Sequence, residues 1–278
     1  MALAPARGAR VHLLGSDLDV VDMREAVARC EAAIAEGSYL QHMSINAAKL
    51  VSMQTDRELA DGVNSCGLIT ADGQSVVWAA RLLGVPLPER VAGIDLMQEM
   101  LAVAEERGYG VYLLGAKAAV LERAIENLLA RYPRLRIAGA QHGYFAEDET
   151  EAVADAIRDA DAQLLFVAMS SPRKEHFLGR LGPSLGVPFA MGVGGSVDVI
   201  AGVTRRAPVW MQRAGLEWAY RLAQEPRRLA RRYLVKNTQF AAMVVRELLT
   251  RRGSGPGGGA GAGSAGASPR TAANDPPR

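Results

Sequence analysis

At 278 residues, 49% of them hydrophobic, the chain can hold one large α/β domain with an appendage, or two small domains. No window reaches the roughly 18–20 unbroken apolar residues of a membrane span, and Met1–Arg10 lacks the apolar core of a secretion signal, so a cytoplasmic protein is expected. The formal charge of +2 conceals an asymmetry: residues 204–252 hold twelve Lys/Arg against three Asp/Glu, a local +9, whereas residues 1–203 carry −8. Such a segment predicts an anionic partner, be it a membrane, a nucleic acid or a phosphate-bearing ligand.

Taken in chain order, Val11–Leu14, Leu40–Ile45, Gly67–Thr70, Gly110–Leu114, Arg136–Ala140, Gln163–Ala168 and Val187–Met191 read as buried strands. Helical patterns lie between them at 22–36, 47–64, 74–83, 93–107, 117–131, 148–160 and 172–181. This alternation predicts a mostly parallel sheet with helices on both faces, a Rossmann-like α/β fold. Residues 1–203 are the expected catalytic domain. Residues 204–252 form a basic helical appendage of two or three helices, broken near Pro226. The Gly/Ala/Ser/Pro-rich tail 253–278 is too poor in core-forming residues to fold. Cys30 and Cys66 have no metal-site spacing and read as reduced thiols.

Parallel α/β sheets bind ligands beyond the carboxyl ends of their strands, so the residues after each strand matter most. Ser44 and Asn46 end the second strand. Asp72, in Ala71-Asp72-Gly73, is placed either as a general base beside a glycine that admits a ligand or as a cap for the next helix. Gly115-Ala116 follows the next strand without a G-x-G-x-x-G pattern, and His142 sits in a polar turn without metal-ligand spacing. Arg173 and Lys174, after Pro172, suit either a diphosphate or a solvated helix start. Gly192-Val193-Gly194-Gly195-Ser196-Val197-Asp198 allows close backbone approach and an anion at a helix start. In the basic segment, Arg221, Arg228 and Arg231 are spaced to share one face of a continuous helix and suit a diphosphate; Trp210, Trp218, Tyr220 and Tyr233 interleave with the charges as at a membrane interface.

Several blocks together resemble one known family. They are Ala71-Asp72-Gly73 with Val76-Val77-Trp78-Ala79-Ala80-Arg81, Glu89-Arg90-Val91-Ala92-Gly93-Ile94-Asp95-Leu96, His142-Gly143-Tyr144-Phe145, the Gly192–Asp198 run, Arg206-Ala207-Pro208, and Gly215-Leu216-Glu217-Trp218. From about Val11 to about Phe240 they resemble the WecG/TagA/CpsF family of bacterial glycosyltransferases. The resemblance implies inverting transfer of N-acetylmannosamine, its uronic acid or a related hexose from a UDP-sugar to a polyprenyl-diphosphate-linked sugar, in teichoic acid, common-antigen or exopolysaccharide synthesis. It implies no cofactor and no metal, and an enzyme peripheral on the inner face of the cell membrane. It assigns the catalytic base to Asp72, and substrate binding to Ser44, Asn46, Arg90, Lys174, Gly194, Gly195 and Asp198. The leaving diphosphate falls to Arg221, Arg228 and Arg231. Lys174 stands where many members have Gln, and a donor-only cation for an amide points to a more anionic donor or a different acceptor. The expected partners are donor, lipid-linked acceptor and anionic membrane, with no nucleic acid, and with self-association left open. The alternative is a nicotinamide-dependent oxidoreductase on the same sheet, disfavoured by the missing G-x-G-x-x-G and ribose-binding acid.

Overall fold

Eight short strands form in chain order: β1 (Arg10–Leu13), β2 (Ser16–Asp19), β3 (Leu40–Ile45), β4 (Leu68–Ala71), β5 (Gly110–Gly115), β6 (Arg136–Gln141), β7 (Leu164–Ala168) and β8 (Phe189–Gly192). This computed structural model describes residues 9–253 apart from Pro86, and only the backbone of Arg228, Leu229, Arg232 and Arg252. Six strands make one sheet in the order β4-β3-β8-β7-β5-β6, every neighbouring pair parallel. Every residue of β4, β5, β7 and β8 is buried, because parallel strands need crossover helices and those helices cover both faces. Alternation along β7 divides its side chains. Leu164 and Phe166 join Met97, Met100 and Leu101 on one face, whereas Leu165 and Val167 join Val153, Ile157 and Leu178 on the other.

The first expected strand does not enter this sheet. Arg10–Leu13 pairs antiparallel with Ser16–Asp19 across Leu14 and Gly15, both left-handed at φ 51° and 87°, the geometry of a tight hairpin turn. The Asp19 carboxylate accepts from the Ile69 N–H of edge strand β4 at 2.8 Å and also binds Arg10 and Arg29. The hairpin therefore shields an edge whose unpaired backbone would otherwise invite association. The helix expected over 47–64 is two, Ala47–Met53 and Arg57–Asn64, because Asp56 caps the second through the Leu59 N–H at 2.9 Å.

Among the described residues, four helices follow the last strand: Ser196–Ile200, then, in the C-terminal segment, Val209–Arg213, Glu217–Gln224 and Pro226–Gly253. Glu225, at φ −132° and ψ 59°, separates the last two, so Arg221 lies on a different helix from Arg228 and Arg231. The single arginine face expected of a continuous helix is not formed. The long helix turns back onto the body, burying Phe240 and Val244 in the cluster that contains Leu50 and Val51 of Ala47–Met53. Arg251 donates to the Leu83 carbonyl at 2.7 Å. Gly215, at φ +70°, packs so closely on Trp78 that a Cβ would lie 3.0 Å from its ring. The expected tail lies outside the described residues from position 254 onward. Among the described residues no helix is long and apolar enough to cross a membrane.

Candidate active site

Parallel register brings the ends of β3 and β4 together: Ile45 pairs with Ala71, and the Asp72 N–H donates to the Ile45 carbonyl at 2.8 Å. Asn46 caps Ala47–Met53 by accepting from the Lys49 N–H at 3.0 Å. Asp72 does not cap the helix that follows it, since Gln74–Leu82 begins at Gly73 with no side-chain cap. Its Oδ1 accepts instead from the Gly93 N–H at 3.3 Å, at the start of the helix Gly93–Arg107. A Cβ on Gly93 would lie 3.1 Å from Ser44 Oγ, and one on Gly73 would lie 3.6 Å from Asn46 Cβ. The glycines thus let Ser44, Asn46 and Asp72 share one recess.

A buried chain of hydrogen bonds fixes the recess. Thr70 Oγ1 donates to the Val91 carbonyl at 3.1 Å, so the 2.9 Å contact from His42 Nε2 has the imidazole donating to Thr70. Burial lowers His42 to about 3, with Lys49 adding to the effect, and the ring is neutral. The loop carrying Arg90 is thereby pinned to the strand that precedes Asp72.

An ion-pair network joins body and C-terminal segment. Arg90 Nη1 lies 3.0 Å from Glu217 Oε2, and Arg90 Nη2 lies 3.9 Å from Asp95 Oδ2. Arg206 binds Asp95 in a two-point fork, with Nη2–Oδ2 at 2.8 Å, and Arg221 Nη2 lies 3.5 Å from Glu217 Oε1. The Arg90 and Glu217 side chains are only 16% and 17% exposed, so solvent screens this pair weakly. Burial pushes the Asp72 carboxyl up, and the nearby Glu217 charge raises it further; Arg90, Arg221 and the Gly93 N–H pull the other way. Asp95, Arg206 and Glu217 are the site residues that spacing arguments miss. Their pairs lie 111 and 127 residues apart, and no periodic pattern signals them; their one trace in the sequence is membership of the family blocks.

The other expected residues are dispersed around this centre. Lys174 is buried, with its stem 3.2 Å from where a Gly192 Cβ would be and its ammonium 2.6 Å from Glu175 Oε1. Lys49 reaches the same oxygen at 3.1 Å. Arg173 donates to the Gly143 and Phe145 carbonyls at 2.8 and 2.7 Å and stacks over the Phe145 ring, so its guanidinium clamps the His142 turn rather than standing free for a diphosphate. After β8, the Val193 and Gly194 N–H groups donate to the Val167 carbonyl, at 2.9 and 3.4 Å. Gly194, at φ +50°, has open space where a Cβ would be, and Asp198 Oδ2 lies 3.7 Å from a Cβ at Gly195. The helix opening there, Ser196–Ile200, is five residues long. Arg231 is exposed on the long helix; the Arg228 side chain lies outside the described residues. Among the described residues no cluster of three His, Cys, Asp or Glu is disposed to hold a metal ion.

A parallel sheet covered on both faces, with a carboxylate of raised proton affinity and several arginines at its carboxyl edge, defines an α/β protein whose candidate site lies where such sheets bind ligands. The chain belongs to the glycosyl transferase WecG/TagA/CpsF family, whose model matches residues 11–254. It is 36% identical over 192 residues to the N-acetylglucosaminyldiphosphoundecaprenol N-acetyl-beta-D-mannosaminyltransferase of Bacillus subtilis (strain 168), covering 69% of this chain and 73% of that protein. The family is one of transferases, which sets the oxidoreductase alternative aside.

Proposed function

We propose that this chain is an inverting glycosyltransferase that moves N-acetylmannosamine, its uronic acid or a related hexose from a UDP-sugar to a polyprenyl-diphosphate-linked sugar in cell-surface polysaccharide synthesis. The observation that carries the proposal is Asp72. Its proton affinity is raised, the Gly93 that donates to it packs against Ser44, the Gly73 beside it packs against Asn46, and Arg90 and Arg221 are within electrostatic reach. The Bacillus relative, named for a GlcNAc-diphosphoundecaprenol acceptor, supports the lipid-linked substrate.

In the proposed single displacement, an acceptor hydroxyl oxygen attacks the anomeric carbon and passes its proton to Asp72. The bond from that carbon to the diphosphate oxygen breaks with its electron pair, and UDP departs from the opposite face. Arg221, Arg228 and Arg231 neutralise the departing diphosphate, a role that needs no divalent cation. Ser44, Asn46, Arg90, Gly194, Gly195 and Asp198 line the donor site. Lys174, engaged by Glu175, supplies positive charge beneath the end of β8 and favours an anionic sugar.

The same C-terminal segment is proposed to meet the membrane surface. It is net positive and presents Trp210 and Leu234 at 65% and 73% exposure, with Trp218 stacked edge-on to Tyr233 at 6.2 Å. The test is a panel of UDP-sugars with a short-chain lipid-diphosphate-GlcNAc acceptor, with and without EDTA. Transfer from one UDP-hexose that survives chelation is expected; no transfer from any of them contradicts the proposal.

A further inference from the structure

Among the described residues, two ion pairs fasten the C-terminal segment to the body, Arg206–Asp95 and Arg90–Glu217, and the carboxylate of the second also holds two arginines of its own segment. Glu217, in the first turn of Glu217–Gln224, places Oε2 at 3.0 Å from Arg90 Nη1, and its Oε1 is 3.5 Å from Arg221 Nη2 and 3.9 Å from Arg206 Nε. We propose that Glu217 is a positioning residue for the transfer reaction, gathering Arg90, Arg206 and Arg221 around Asp72 and setting the electrostatic field at that carboxylate. The inference rests on Asp72 being the base.

Three guanidinium groups around one carboxylate have a definite alternative once that carboxylate is lost. Arg90, 16% exposed, turns on losing Glu217 to the anions left to it, Asp95, already 3.9 Å away, and Asp72; Arg221, 43% exposed, also has Asp72 within electrostatic reach. Asp72 closed into an ion pair holds a proton less firmly and is the weaker base. Glu217 prevents this by occupying the arginines and by its own like charge. The groups facing Asp72 are Glu217 and Arg221 from Glu217–Gln224, Arg90 from the preceding loop, Arg206, and the Gly93 N–H. Losing the Glu217 charge therefore moves Asp72 in one direction, since lost repulsion and redirected arginines act alike.

A base must be ionised, so activity falls as pH drops through the Asp72 transition. In the full-length chain, Glu217→Gln is expected to move the acid limb of the kcat/KM profile down by about one pH unit. Its plateau rate falls, whereas the KM for the UDP-sugar stays level or drops, because the arginines gain net positive charge. Glu217→Asp keeps the charge and keeps the limb near its wild-type position. A merely structural role lowers the rate without moving the limb. A limb unmoved in Glu217→Gln overturns the inference, while inert Asp72→Asn in the same series leaves the base standing. Wild-type turnover in Asp72→Asn overturns both. Should Glu217→Gln fail to fold by circular dichroism, Arg90→Gln is compared with Arg90→Gln/Glu217→Gln, which removes both ends of the pair. A double-variant limb below that of the single variant supports the role of Glu217, and coincident limbs overturn it.

Discussion

Asp72 carries the chemistry because two demands on it conflict. A carboxylate in water is a poor proton acceptor, and an enclosed one beside Glu217 is a better one that is held at some cost in stability. With its pKa raised in the fold, Asp72 contributes stability below its unfolded value and loses that contribution as pH rises through the folded value. Asp72→Asn, which can still accept from the Gly93 N–H, is therefore expected to melt higher than wild type at neutral pH, with the gap closing on acidification. A lower melting temperature at pH 7 contradicts the enclosed, charged carboxylate. Glu175 is the opposite case. Burial would raise it, but Lys49 and Lys174 on one of its oxygens outweigh burial and hold it at about 2. Its contribution is complete above the ordinary value of 4.5 and disappears as pH falls through about 2, so acid unfolding should draw on this group. Glu175→Gln removes the carboxylate that Lys49 and Lys174 share and should cost about 3–5 kcal/mol in denaturant unfolding.

Among the elements, what the sequence made legible and what it concealed divide along physical lines. Asp72 is legible because it follows the short apolar run Leu68–Ala71 beside a glycine, whereas β3, with Gln41, His42 and Ser44 among Leu40, Met43 and Ile45, is legible chiefly from its ends. The hairpin strand Ser16–Asp19 is not, since a segment with two aspartates and no apolar alternation has no strand signature until Asp19 finds Ile69. The break expected near Pro226 falls at Glu225, one position before the proline, so the face that a continuous helix would give the arginines does not form. The Glu217–Arg90 and Arg206–Asp95 pairs were invisible because tertiary proximity alone creates them. The long helix is also a core element as well as a surface one. Phe240→Ala should remove about 3–5 kcal/mol by opening a cavity against Ala47–Met53. Unaltered stability contradicts the observed docking.

At the scale of the whole molecule, the acidic body and basic C-terminal segment divide the labour: the sheet holds Asp72, and the segment brings Arg206, Glu217 and Arg221 to it. If that segment meets a lipid surface, sedimentation with anionic vesicles should weaken as salt rises from 0.1 to 1 M, because screening shortens from about 10 to about 3 Å. Trp210→Ser with Leu234→Ser should weaken it further at constant salt. Binding indifferent to both changes contradicts a charged, apolar contact face. The central claim, that Asp72 takes the acceptor proton in a glycosyl transfer, is tested most directly by single-turnover transfer in Asp72→Asn with the UDP-sugar that the panel selects. A fall in rate of about 10²–10⁴-fold with UDP binding retained is expected. Transfer within a few-fold of wild type would contradict it.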